Sequence, residues 1–174
     1  MDASAALFRH VGLTVSDIDR SLAFWHDALG LELVARQSQE RGYIEEVTRE
    51  VDAHVLQAHL RFSGSDCFVE LLQYVTPAGD PVKLFPRNPG GSHVAVTCAD
   101  LVALLERLES AGGERFGDPV TVDRGINKGA LVVYLRDPDQ HIVELVQPAP
   151  YRQEGGGASD DISQDMQADS NGEG

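Results

Sequence analysis

Two histidines and two glutamates carry most of the chemistry this chain can do: His10, Glu70, His93 and Glu144. Each lies in or at the edge of an apolar, strand-like run. A carboxylate flanked by Phe68, Val69, Leu71 and Leu72 is costly to bury unless something compensates it. The same holds for Glu144 between Ile142, Val143, Leu145 and Val146. One divalent cation would compensate both. Two neutral imidazoles and two carboxylates suit Zn, Ni, Co, Mn or Fe, with positions left for water or substrate. Thiolates take no part, which disfavours a structural zinc site. Taken singly, each His or Glu reads as an ordinary structural or solvated residue. Taken together, at corresponding positions of a repeat, the four read as metal ligands.

The repeat is what puts them at corresponding positions. His10-Val11-Gly12-Leu13-Thr14-Val15-Ser16-Asp17 matches His93-Val94-Ala95-Val96-Thr97-Cys98-Ala99-Asp100. Phe68-Val69-Glu70-Leu71-Leu72-Gln73 matches Ile142-Val143-Glu144-Leu145-Val146-Gln147, in the same order. Two ordered matches point to a tandem duplication of one supersecondary unit. Alternation along each strand places His10, His93, Glu70 and Glu144 opposite the apolar residues that pack under a helix. All four therefore face away from the helices.

Each unit has one grammar. An alternating strand is followed by an acidic cap, Asp17 or Asp19 in the first copy and Asp100 in the second. A helix follows, with Leu22, Trp25, Ala28 and Leu29 as its stripe in copy one and Gly30 as its stop. In copy two the stripe is Leu101, Leu104, Leu105 and Leu108, and Gly112-Gly113 ends it. Short strands complete the unit, with hairpin turns near Gly64 and Asp137-Pro138. The fold class expected is α+β: tandem βαβββ modules forming a curved mixed sheet around a metal-binding cavity. The first module spans 7–76, a Pro- and Gly-rich linker 77–91 and the second module 92–149. Residues 153–174 read as a disordered acidic tail.

The bulk properties narrow the partners. The 174 residues are 42% hydrophobic and 24% charged, enough to bury a core without staples. A net charge of -14 opposes nucleic acid and anionic membranes. Two cysteines are too few for a disulfide framework, and the N-terminus shows no secretory pattern. No apolar run is long enough to span a bilayer. A cytoplasmic protein is the expectation.

At the quoted phrases, together with Phe24-Trp25-His26-Asp27-Ala28-Leu29-Gly30-Leu31-Glu32 and Asp137-Pro138-Asp139-Gln140-His141, the chain resembles the vicinal oxygen chelate superfamily. That superfamily includes glyoxalase I, methylmalonyl-CoA epimerase, extradiol dioxygenases and fosfomycin- and bleomycin-resistance proteins. The likeness covers about residues 8–148. It implies a small-molecule substrate and a homodimer. A His, Glu, His, Glu set looks like bacterial glyoxalase I. It implies a lyase or isomerase that chelates vicinal oxygens of its substrate and stabilises an enolate or enediolate, with Glu144 or Glu70 moving the proton. Glyoxalase I proteins carry Arg and Asn, for glutathione, where this chain has Thr14 and Tyr74. Glutathione dependence is therefore not implied. The alternatives are an Fe(II)-dependent dioxygenase and a drug-binding resistance protein.

Other residues divide between chemistry and structure. Residues 42–47 read as a strand, with one of Glu45 and Glu46 facing the cavity. The resemblance makes Glu46 a candidate second base, against the plainer reading of a solvated charge. His59 shares a strand face with Gln57 and Arg61, a face that either lines the cavity or meets water. His26 and His54 read as surface residues, His141 as structural and Trp25 as core packing. Residues 124–129 form a polar loop.

Overall fold

A computed structural model describes residues 6–150. The expected tail therefore lies outside the described residues. The first repeat runs β1 (His10–Thr14), α1 (Ile18–Leu22) continuing through a π-helical turn at Ala23–Ala28, β2 (Glu32–Glu40), α2 (Tyr43–Thr48), β3 (His54–Arg61) and β4 (Phe68–Thr76). The second runs β5 (His93–Thr97), α3 (Leu101–Ser110), β6 (Glu114–Arg115), β7 (Val120–Thr121), β8 (Leu131–Arg136) and β9 (Ile142–Gln147). Two mixed sheets result, ordered β1-β4-β3-β2 and β5-β9-β8-β6, with β7 also on β8. Where the first sheet has one continuous outer strand, the second has two short ones.

The matched phrases have matched jobs. Asp17 accepts hydrogen bonds from the backbone N–H of Asp19 and Arg20, and Asp100 from that of Ala103, each at 3.0 Å. The two glutamines that close the repeated strands do the same work again. Gln73 Oε1 accepts from Ile18 N–H and Gln147 Oε1 from Leu101 N–H, both at 2.9 Å. Each helix start is thereby bound to the central strand of its own sheet.

The helix-bearing faces of both sheets share one hydrophobic cluster. Leu13, Leu22, Phe24, Trp25, Val69 and Leu71 join Leu101, Leu105, Leu108, Leu135, Val143 and Leu145 in it. Trp25, fully buried, donates from Nε1 to Asp137 Oδ2 at 3.0 Å, so an indole from one repeat satisfies a carboxylate of the other. His141 adds a contact across the same junction, its Nε2 lying 2.8 Å from Thr14 O. The connector is held too. Buried Arg136 donates to Gln140 O at 3.0 Å and to Leu84 O at 2.7 Å. Its guanidinium sits 4.7 Å from the ring centre of Phe116 and 5.3 Å from that of Phe85.

Residues 42–47 do not form the expected strand. Tyr43–Thr48 is a short helix, bracketed by Gly42 at φ 64° and Arg49 at φ 63°. Thr48 Oγ1 donates back to Ile44 O at 2.7 Å, and Glu45 accepts from Asp52 N–H at 2.7 Å. Ile44 packs with Ala53, Val55, Leu72 and Tyr74. These contacts to the neighbouring strands outweigh the strand preference of the isolated segment. The helix covers one end of the first sheet's outer face.

Candidate metal centre

Parallel pairing of β1 with β4 sets Gly12 opposite Glu70. Pairing of β5 with β9 sets Ala95 opposite Glu144 in the same register. The preceding inward-outward alternation then brings each His beside its Glu. His10 Nε2 lies 3.3 Å from Glu70 Oε2, and His93 Nε2 lies 3.1 Å from Glu144 Oε2. The Glu side chains are 14% and 20% exposed, the imidazoles 38% and 43%. Each carboxylate is thus largely withdrawn from water, with one imidazole at its mouth.

The four residues form two pairs, one on each sheet. Among the described residues, no group of three or more His, Cys, Asp or Glu is gathered so as to hold a metal ion. The donor chemistry of each pair nevertheless fits half of a divalent site. Each offers a partly exposed imidazole Nε2 and a mostly buried carboxylate oxygen within 3.3 Å of each other.

Two further side chains complete the surroundings. On the antiparallel neighbour β3, His59 is opposite Glu70, and its Nε2 lies 2.8 Å from Glu70 Oε1. The corresponding position on β8 is Tyr134, opposite Glu144. Its ring centre is 5.3 Å from that of His93, with the planes at 49°. Burial, and then the charge of Glu144, push the Tyr134 phenol above its ordinary range. No hydrogen bond joins its hydroxyl to Glu144 among the described residues. Sequence alone leaves His59 open and does not single out Tyr134. The missing signal is hairpin register, which decides which residue sits across from each Glu.

Other candidates fall elsewhere. Glu46 is exposed on α2, and among the described residues no hydrogen bond or ion pair links it to either His–Glu pair. Trp25 is core, and His141 serves the junction. Arg124 pairs with its neighbour Asp123 in an exposed loop. Both cysteines are free thiols, and burial raises the Cys98 thiol, with Asp100 adding to the effect. A cavity of about 350 Å³ opens where the connector meets both repeats, lined by Thr14, Ser16, Tyr74, Ser92, Asp139 and His141 among others. Neither Lys nor Arg lines it.

The family model for the Glyoxalase/Bleomycin resistance protein/Dioxygenase superfamily matches residues 7–145. The chain belongs to that superfamily. Within it, the chain is 32% identical over 160 residues to a 2-epi-5-epi-valiolone epimerase from an Actinomyces species, covering 86% of this chain and 85% of that protein. It is 33% identical over 150 residues to a lactoylglutathione lyase from Pseudomonas aeruginosa, covering 81% and 82%. Among solved structures, a glyoxalase family protein from Bacillus cereus superposes with a TM-score of 0.74 at 23% identity, covering 86% of this chain and 100% of that one. This last likeness is one of fold. The named relatives of this superfamily member are enzymes, and enzymatic activity in general follows for it. No helix among the described residues is long and apolar enough to cross a membrane.

Proposed function

We propose that the protein is a metal-dependent isomerase or lyase of the glyoxalase type, acting on a small substrate with a carbonyl beside a second oxygen. The observation that carries this reading is the repeated His–Glu pair, His10 with Glu70 and His93 with Glu144, in one register on two sheets. Those four residues would hold one divalent ion, of the Zn, Ni, Co, Mn or Fe class. When bound, the ion supplies Lewis-acid polarisation of the chelated oxygens, which acidifies the neighbouring C–H. One carboxylate of the quartet, Glu144 or Glu70, takes that proton and returns it. Glu46, exposed on α2, is not needed for this step and stays the candidate second base the resemblance offers.

The isomerase side is favoured, with a substrate other than a glutathione adduct. Thr14 and Tyr74 stand where glyoxalase I has its glutathione-holding Arg and Asn, so position 14 offers no cationic partner to a glutathione carboxylate. Similarity to an epimerase over most of both chains supports the same choice.

The ion would be shared between two copies of the chain, since the two pairs of one chain do not gather into a group of three or more donors among the described residues. Protein purified without chelator should carry about one transition-metal ion per chain. Absence of metal counts against the reading. A His10→Ala/Glu70→Ala chain and a His93→Ala/Glu144→Ala chain should each bind none. Co-expressed at equal levels, they should recover about a quarter of native metal content, because half of the dimers then own one intact site of two. No recovery would place all four donors within one chain.

A further inference from the structure

We propose that His59 is a positioning residue for the candidate metal centre: its ring N–H clamps one oxygen of Glu70 and leaves only the other free for an ion. The inference rests on the metal-dependent reading above. Glu70 Oε1 lies 2.8 Å from His59 Nε2, while Oε2 faces His10 Nε2 at 3.3 Å. A carboxylate at this site accepts hydrogen bonds, so His59 Nε2 is the donor. The other ring nitrogen, Nδ1, is buried and has no hydrogen-bond partner. Glu70 is therefore the only polar contact seen for the ring among the described residues. The ring is itself three-quarters covered, with 26% of the side chain exposed. Antiparallel register holds it directly opposite Glu70.

A carboxylate with both oxygens unclaimed can rotate and bind an ion through one oxygen or two. With Oε1 committed to His59, Glu70 is restricted to Oε2 in a fixed orientation, as hydrogen-bonded ligands commonly are. The second repeat lacks this device. Tyr134, which carries no imidazole nitrogen, occupies the equivalent position and stacks at a tilt on His93. The duplicated carboxylates are thus unlike: Glu70 has an imidazole nitrogen at each oxygen, whereas Glu144 has one, from His93, at Oε2 among the described residues.

The test is Co²⁺ affinity, measured at one pH by competition with a chromophoric chelator, together with the Co²⁺ visible absorption spectrum. His59→Leu should weaken affinity by about 10- to 100-fold and alter the spectrum. His59→Gln restores an N–H donor and should return affinity to within about threefold of native. Tyr134→Phe should stay within the same margin. Should His59→Leu fail to fold, His59→Asn supplies the same test, since its shorter amide cannot reach Glu70 Oε1 and should show the same loss. Native affinity and spectrum in a folded His59→Leu or His59→Asn protein overturn the inference alone. Failure of the native chain to bind Co²⁺, or undiminished binding by Glu70→Ala, overturns the metal-dependent reading beneath it.

Discussion

The two repeats place the same His and Glu in the same register and then surround them differently. In the first, His59 Nε2 lies 2.8 Å from Glu70, and α2 covers the end of the sheet face it belongs to. In the second, an uncharged Tyr134 stands opposite Glu144, and no helix follows α3 among the described residues. The contrast recurs at the core. Trp25 meets Asp137 through a buried hydrogen bond, whereas the corresponding positions of the opposite repeats, Leu108 and Phe62, are apolar. Duplication fixes where the backbone delivers a side chain. The neighbours acquired by each copy decide what that side chain can do.

The core half of this contrast is open to stability measurements. Leu108→Ala leaves a void in the shared cluster and should cost about 2–5 kcal/mol in urea unfolding. Trp25→Phe keeps most of the apolar volume but orphans one oxygen of a buried carboxylate, and should cost about 1–3 kcal/mol. A Trp25→Phe cost above that of Leu108→Ala would show that the polar contact dominates the junction. The smallest effect is in pH dependence. Burial holds the Asp137 carboxyl above its ordinary range, against the lowering influence of His141, the Trp25 hydrogen bond and the backbone N–H groups of His141 and Asp139. Between the ordinary and the raised value, the folded chain keeps a proton that the unfolded chain has lost. The group's contribution to stability is therefore full at low pH and declines as pH rises through that window. Asp137→Asn should remove this decline. Parallel pH profiles for native and variant would show that Asp137 does not titrate with folding.

Much of this architecture was legible in the chain. The repeated phrases give the order of strands and helices, and alternation gives the face on which His10, Glu70, His93 and Glu144 lie. Gln73 and Gln147 match because both cap a helix of their own sheet. What was not legible depends on contacts far apart in sequence. Residues 42–47 look like a strand because Ile44 and Val47 favour one, and their helix exists because Ile44 packs on Val55 and Leu72. The π-helical turn at Ala23–Ala28 has no local marker. His59 and Tyr134 gain meaning only when β3 and β8 are paired in register with the Glu strands. The separation of the quartet into two pairs is a matter of how whole sheets dock, which no strand pattern encodes.

Arg136 also divides the connector. By gripping Leu84 and sitting against Phe85, it makes the later part of that segment travel with the second repeat. The stretch from Thr76, the last residue of β4, to Leu84 is what then joins the two repeats. Fully stretched, those residues reach roughly 25–30 Å. That tether length is the ceiling on how far the halves of one chain can part while each stays folded, and so on the geometry of any exchange between copies.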